Sequence, residues 1–356
     1  MLRRLILLLW LSLTAVALFG TARTILLLVD DPSLQPVRTA ARDEIVAGIE
    51  ALMAQAATAE AIEARLRERL KEEPRNWLAL DALIDLAQER DIVLAAAVLA
   101  EVGQHRDDDF SYLNLMQSCA VCAFDVAQCS ITEFMLCQGP VAMTPVGDIF
   151  GVARAGTASL SGGEVDQVDL ALSVVGLGAT LVVIGVPVAS AAVKAGAGLA
   201  KSAWKMGRLS PRLVAVATKA VKEGVNWSAL PGVRTMDDLT MALRPAKFTE
   251  LTETMVDLDR LWGATDATTA LHLLPLVDNA DDARHLANVA EALGPKVVGR
   301  AEILGKARLV RVALRVTGMA WALLSTAMAS MVCLASLLTC LLEGRFRRGL
   351  RHLSRL

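Results

Sequence analysis

Four cysteines form the pattern in this sequence that is best suited to chemistry. Cys119, Cys122, Cys129 and Cys137 lie within 19 residues, in the arrangement C-x2-C-x6-C-x7-C. Four neighbouring thiols can form two disulfides, hold a zinc ion as thiolates, or carry out thiol redox chemistry. Because the second pair is not another C-x2-C, the spacing argues against a zinc ribbon. In an exported segment we expect two disulfides, and four cysteines leave three pairings open.

The rest of the sequence contains no recognisable catalytic set. Four histidines are scattered, without metal-ligand spacing: His105, His272, His285 and His352. Neither a Gly-x-x-x-x-Gly-Lys-Ser/Thr phosphate loop nor a Gly-x-Ser-x-Gly nucleophile turn occurs. His272 and His285 flank an acidic turn at residues 278–282, which could hold a metal, but solvated helix-surface side chains explain the same pattern. We therefore predict no enzymatic activity, no metal and no cofactor.

The composition is apolar for a soluble protein of 356 residues. Hydrophobic residues make up 54% of the chain, charged residues make up 21%, and the mean hydropathy is +0.47. This balance excludes intrinsic disorder. The 36 Lys and Arg residues nearly balance the 38 Asp and Glu residues, and only 4% of the residues are aromatic. Neither a basic field nor a supply of stacking side chains therefore indicates nucleic-acid binding.

The first of three apolar runs covers residues 5–19 and follows Arg3 and Arg4. Its length suits the core of a signal peptide, and small residues follow at positions 20–22. The apolar sequence resumes at residues 25–29, so a helix over residues 5–29 would be long enough to span a bilayer. We favour an uncleaved anchor over residues 1–29, with the arginines in the cytoplasm and the chain beyond residue 30 exported.

The last apolar run, residues 316–342, has 27 residues without a charge, more than the length of about 20 that a membrane helix needs. Residues 344–356, which follow it, carry five arginines and no acidic residue. A short basic segment directly after a span remains in the cytoplasm, where it meets anionic lipid. These features predict a protein of the bacterial inner membrane, with both termini in the cytoplasm and most of the chain outside.

The central apolar run, residues 170–193, is uncharged, rich in glycine and interrupted by Pro187. Acidic residues precede it and basic residues follow it, as in a single crossing toward the cytoplasm. A single crossing would, however, place the arginine-rich tail outside. A buried or re-entrant pair of short helices, broken near Pro187, removes this conflict. We favour this hairpin, with Gly176 and Gly178 at a close helix contact.

The segments between these runs show helical periodicity. Apolar residues recur at helical spacing in two early segments: Ile45, Ile49, Leu52 and Met53, then Ile62, Leu66 and Leu70. Further helices are predicted from Trp77, over residues 91–102 with Asp91 at the start, and from a cap at Asp281 to Gly294. Sustained two-residue alternation does not occur. The predicted fold class is therefore all-α.

Two segments resemble known families. Residues 74–80 (PRNWLAL) and 87–91 (AQERD) look like part of a tetratricopeptide-type helical hairpin, without a second copy at the period of about 34 residues. Residues 144–148 (TPVGD) and 162–166 (GGEVD), with the Gly/Ala-rich stretch up to residue 200, resemble the hydrophobic pre-toxin module of bacterial polymorphic toxins. That resemblance implies a toxin domain after the module, whereas this chain continues to an apolar run.

The sequence as a whole predicts an all-α, membrane-anchored protein. Its predicted parts are an anchor (1–29), an exported helical domain with the four cysteines (30–143), a Gly/Ala-rich hairpin (144–200), a second helical domain (201–315), a transmembrane helix (316–342) and a basic tail (343–356). The expected function is a non-enzymatic scaffold or interaction protein whose partners are the lipid bilayer and an unidentified protein. The alternatives are a membrane-inserting, toxin-related effector and a thiol oxidoreductase using Cys119 and Cys122.

Overall fold

Helices make up the secondary structure wherever the computed structural model describes the chain, namely residues 35–137, 166–181, 187–229, 238 and 241–315. Within these ranges no β-strand occurs, and one antiparallel bridge joins Val225 to Leu243. The predicted all-α class is confirmed for these residues. The predicted anchor (1–29), the predicted transmembrane helix (316–342) and the basic tail (343–356) lie outside the described residues, as does most of the segment that precedes the hairpin.

The chain divides into two compact units, residues 45–318 and residues 1–44 with 319–356. Residues 35–44 are the described part of the second unit, and they are helical. Six α-helices are described in residues 35–137: α1 (Gln35–Ala56), α2 (Ala59–Leu70), α3 (Trp77–Glu89), α4 (Ala96–Asp109), α5 (Tyr112–Phe124) and α6 (Ile131–Cys137).

The early helices begin and bury their apolar faces as the periodicity predicts. The Thr58 side chain accepts a hydrogen bond from the Ala61 amide at the start of α2, and Asn76 accepts one from the Ala79 amide at the start of α3. Such caps satisfy amides that have no partner within the helix. Of the apolar residues predicted on α1 and α2, Leu52 is half-buried and the others are buried: Ile45, Ile49, Met53, Ile62, Leu66 and Leu70.

The predicted start of α4 at Asp91 is wrong, because the helix begins at Ala96. Asp91 has a φ of 54°, in the left-handed region that ends a helix. Its amide donates to the Gln88 carbonyl, and the Ile92 amide donates to the Ala87 carbonyl. This pair of bonds is a Schellman motif, so Asp91 terminates α3 instead of beginning α4.

The second half of the unit contains these longer α-helices in the described residues from 166 to 304: α7 (Gln167–Leu181), α8 (Pro187–Lys205), α9 (Pro211–Gly224), α10 (Thr249–Ala264), α11 (Ala267–Leu273), α12 (Ala280–Leu293) and α13 (Val297–Leu304). Helix α8 packs against α7 and α10, and α10 packs against α12. The cap of α12 is Asn279, which accepts a hydrogen bond from the Asp282 amide, so the predicted cap at Asp281 is wrong. The predicted end at Gly294, which has a φ of 59°, is confirmed.

The central apolar run forms the helix pair α7 and α8, and α8 begins at Pro187, where the break is predicted. The Trp204 indole near the end of α8 donates to the Asp166 carboxylate at the start of α7, at 2.8 Å, so the two helices are antiparallel. The described side chains of α7 from residue 170 to residue 175 are buried. The surroundings of Gly178 lie outside the described residues, and the predicted domain boundary after residue 200 falls inside α8.

Among the described residues, no single helix is both long enough and apolar enough to cross a bilayer. One pair, Thr39–Ala56 with Ala59–Leu70, meets the length and composition criteria together, with a 90° bend between the two helices.

Helix α13 lies at the junction of the two halves, against α2, α3, α11 and α12. It approaches α3 closely at Gly299, where an added Cβ would lie 2.7 Å from the Ala82 carbonyl oxygen. The helix carries two charged side chains on opposite faces, Arg300 and Glu302, which are only 4% and 2% exposed. Buried charges need partners, and those of Glu302 define one of the two sites described next.

Candidate functional site

The four predicted cysteines lie in two pairs at disulfide distance. Cys119 pairs with Cys137 and Cys122 with Cys129, with Cα–Cα distances of 5.6 and 5.0 Å. Both pairs connect α5 to α6 or to the segment just before it. The two cysteines of the C-x2-C sequence therefore belong to different pairs. We call residues 112–137 the disulfide module.

The second helix of the disulfide module is fixed by local hydrogen bonds. The Ser130 amide donates to the Glu133 carboxylate at 2.8 Å, and the Glu133 amide donates to Ser130 Oγ at 3.1 Å. This reciprocal pair is a capping box. Ile131 and Phe134 then point inward and are buried, and α6 packs against α3 and α11. The module is thus attached to the helical core through α6.

Helix α5 presents its large apolar side chains outward. Its one buried residue is Cys122. Leu113, Met116 and Phe124 are 76%, 57% and 95% exposed, and their spacing places them on one face with Ala120. We call these four residues the outer face. Two disulfides connect α5 to α6 and to the segment just before it, and Leu113, Met116 and Phe124 are left exposed.

The surroundings of the outer face are acidic. Residues 107–137 contain four aspartates, one glutamate and no lysine or arginine, a formal charge of −5. Asp109 pairs with Arg75 at 2.9 Å, whereas Asp107, Asp108 and Asp125 are exposed. Exposed apolar patches mark sites of interaction. The outer face, with acidic residues nearby in the chain, is therefore a candidate interaction surface.

The pairing of the cysteines can be tested by counting thiols. Replacing Cys119 and Cys137 together with serine should leave Cys122 and Cys129 bonded. Replacing Cys119 and Cys129 together should leave two more reactive thiols under denaturing, non-reducing conditions. Loss of the Cys119–Cys137 disulfide should lower the stability of the module by about 3 kcal/mol in the loop-entropy model. Equal thiol counts in the two variants would contradict this pairing, and bound zinc with four free thiols would contradict disulfides altogether.

The second site is a charged cluster around Glu302 of α13. Its Oε1 accepts hydrogen bonds from His272 Nε2 at 3.0 Å and from the Arg69 guanidinium at 2.7 Å. Its Oε2 accepts from Nε of Arg65 at 2.7 Å and from Nε of Arg69 at 2.9 Å. Four donors therefore surround one buried carboxylate. They come from α2 and α11, so the cluster joins three helices.

The hydrogen bonds of Asn76 determine the tautomer of His272. The Asn76 side-chain oxygen accepts from the Ala79 amide, so its NH2 group faces His272 Nδ1, at 2.8 Å. Nδ1 must then accept, and the ring proton lies on Nε2, which donates to Glu302. The helix cap, the imidazole and the carboxylate form one chain of hydrogen bonds. His272 is therefore committed to this chain and does not pair with the acidic turn.

Two opposing effects act on the Glu302 carboxyl. Burial by itself raises its pKa, because the charged form loses water. Hydrogen bonds from His272 and Arg69, together with the positive charge of Arg69, outweigh burial and lower the pKa to about 2. Glu302 is therefore ionised in the folded protein at all physiological pH values.

A cavity of about 440 Å³ adjoins this cluster. Its polar lining consists of Arg65, Arg69, Asn76, Arg208, His272 and Glu302. The apolar lining includes Pro275, Leu276, Ile303 and Leu304. The cavity lining therefore combines charged and apolar residues.

The metal site considered for the acidic turn does not form. The carboxylates of Asp278 and Asp282 instead bind Lys306 Nζ at 2.6 and 2.7 Å. Within the described part of the chain, no group of three or more His, Cys, Asp or Glu side chains is placed to hold a metal ion. Sequence reasoning missed Glu302 and its partners. The available signal was the pair of charges, Arg300 and Glu302, inside an otherwise apolar helix.

Comparison of the chain with protein-family models, with curated proteins and with solved structures finds no match. The functional conclusions therefore depend on the residues and on their geometry.

Proposed function

We propose that this protein is a non-enzymatic, membrane-anchored interaction protein that presents the disulfide module outside the cytoplasm. The observation that carries the proposal is the outer face of α5, where Leu113, Met116 and Phe124 are exposed while the helix is attached by its cysteines. The apolar sequences at residues 5–29 and 316–342 support the membrane anchor. Disulfides support the exported location, because they persist in oxidising compartments.

The charge of the surface indicates the chemistry of the partner. Exposed Asp107 and Asp108 precede α5 in the chain, and exposed Asp125 directly follows Phe124. Negative charge at these positions repels anionic lipid headgroups and also repels a second copy of the same surface. It attracts a protein segment that combines apolar side chains with flanking lysine or arginine. An amphipathic helix of this composition fits an exposed apolar helical face.

The structure gives less support to the two alternative functions. A thiol oxidoreductase of the C-x2-C type needs Cys119 and Cys122 to bond to each other, whereas they belong to separate pairs. A membrane-inserting effector needs the central apolar run to leave the protein. In the described residues that run packs as α7 and α8, and its side chains from residue 170 to residue 175 are buried. Both observations favour an interaction protein.

Site-specific photocrosslinking tests the proposed surface. A photoreactive amino acid at Met116 or Phe124 should capture a discrete protein in intact cells, and the crosslinked peptide should contain apolar residues flanked by Lys or Arg. The control is Asn114, which is exposed on the same helix but lies beside the outer face. Adducts at Asn114 of equal intensity, adducts to phospholipid, or adducts to a second copy of the chain would each overturn the proposed partner.

The anchoring part of the proposal is tested by accessibility in the same cells. A membrane-impermeant protease or labelling reagent should reach the disulfide module but neither terminus. A tail that is labelled from outside beyond Arg345 would overturn the proposed topology and would favour a single crossing at residues 170–193.

A further inference from the structure

Arg208 lies in a rigid connection between two helices. The Gly207 amide donates to the Trp204 carbonyl at 2.9 Å, and the Arg208 amide donates to the Ala203 carbonyl at 2.8 Å. With a φ of 66° at Gly207, these bonds form a Schellman motif that ends α8. Two residues later, Ser210 caps α9 and donates to the Val277 carbonyl at 2.6 Å. The backbone of Arg208 is therefore fixed on both sides.

The Arg208 guanidinium is half-buried in the wall of the cavity, and it has no hydrogen-bond or ion-pair partner among the residues that the structure describes. Burial lowers the pKa of this group; the Glu72 carboxylate partly offsets the effect, and the positive charge of Arg69 adds to it. An unpaired cation in a partly buried position destabilises the folded state. Nothing in the fold of the connection requires an arginine at this position.

The other arginines of the cavity are already compensated. Glu302 binds both Arg65 and Arg69, and Glu68 and Glu72 provide a second partner for each. Among the residues that line the cavity, Arg65, Arg69 and Arg208 are cationic and Glu302 is anionic. With His272 neutral, these four groups sum to +2, and Glu68 and Glu72, the second partners of Arg65 and Arg69, bring the sum to zero. Arg208 is the arginine of this group that has no ion-paired carboxylate among the described residues.

We propose that the cavity binds a small organic anion, whose phosphate or carboxylate head pairs with Arg208 and whose short apolar body contacts Pro275, Leu276 and Leu304. A guanidinium binds either head through two parallel hydrogen bonds. The apolar residues of the lining favour an organic ligand over inorganic phosphate. Because Glu302 and its four donors are mutually satisfied, the ligand has no need to disturb them.

Ligand titration of the full-length protein, monitored by calorimetry and by thermal unfolding, tests this site. Butyl phosphate or butyrate should bind and raise the unfolding temperature, inorganic phosphate should bind more weakly, and butylammonium should not bind. Arg208→Gln should weaken binding about tenfold or more, because it removes a charged hydrogen-bonding group. The same variant should unfold without ligand at an equal or higher temperature than wild type, since the unpaired charge is gone.

The matched control is Lys205→Gln, which removes one positive charge three positions away, from an exposed residue outside the cavity lining. Its affinity for butyl phosphate should equal that of wild type. If both variants lost binding equally, the loss would come from the change in overall charge, and the specific role of Arg208 would be overturned. Absence of binding by both butyl phosphate and butyrate, or unchanged binding by Arg208→Gln, would overturn the site. A fall in the unfolding temperature of ligand-free Arg208→Gln would show a structural role for the arginine instead.

Discussion

Gly196→Ala is expected to destabilise the protein by about 3 kcal/mol or more, at the upper end of the effects of overpacking. Gly196 lies in α8, where this helix crosses α10. A Cβ at position 196 would lie 2.6 Å from the Met255 carbonyl carbon and closer still to its oxygen. If the Cβ met a neighbouring side chain, that side chain could rotate away. The atoms that it meets belong to the backbone of α10, which cannot. The two helices would have to separate, and the packing of α10 on α12 would be disturbed with them.

Gly198→Ala provides the matched control for this prediction. It lies two positions further along the same helix, and an added Cβ would meet no atom within 4 Å. Replacing glycine by alanine in a helix interior favours the helix by up to about 1 kcal/mol. We therefore expect the control to be as stable as wild type or more stable. Chemical denaturation monitored by circular dichroism measures both variants. Equal stability of the two would contradict the close crossing of α8 and α10.

Glu302→Gln is expected to cost about 3–5 kcal/mol at neutral pH, as does the removal of one partner from a buried ion pair. All four contacts of the carboxylate are with donors, namely His272, Arg65 and two groups of Arg69. The glutamine amide supplies one acceptor and one donor, so about half of these contacts would become repulsive. The arginines would also lose their shared negative partner. Glu68→Gln is the control, since Glu68 binds only Arg65 and is 65% exposed.

The stabilisation by Glu302 should depend on pH in a defined window. Its pKa is about 2 in the folded protein, against 4.5 ordinarily. A lowered pKa stabilises the fold fully above the ordinary value, and that stabilisation is lost as the pH falls through the folded value. The difference in unfolding free energy between wild type and Glu302→Gln should therefore shrink from pH 4.5 to pH 2. A constant difference across this window would contradict the role assigned to the ionised carboxylate.

The periodicity of the sequence was sufficient to predict the helices that bury a regular stripe. Ile62, Leu66 and Leu70 repeat every four residues, and all three are buried in α2. The helix ends are harder to predict from the sequence, because several polar residues near an end can serve as the cap. The sequence predicts Asp91 at the start of α4 and a cap at Asp281, whereas Asp91 ends α3 and Asn279 caps α12, because the decisive dihedral angles depend on neighbouring hydrogen bonds.

What the sequence determined by itself is local: the all-α class, the break at Pro187, and the presence of four cysteines close enough to bond. The tertiary structure decided which groups meet. Arg65 and Glu302 are 237 positions apart, and no periodicity relates them. Likewise, Leu113 and Phe124 point outward because the cysteines of α5 bond to residues on its other side, and the sequence alone does not show which face is bonded. Helical periodicity arises from contacts within a few residues, whereas ion pairs and exposed faces depend on helices that are brought together from distant parts of the chain.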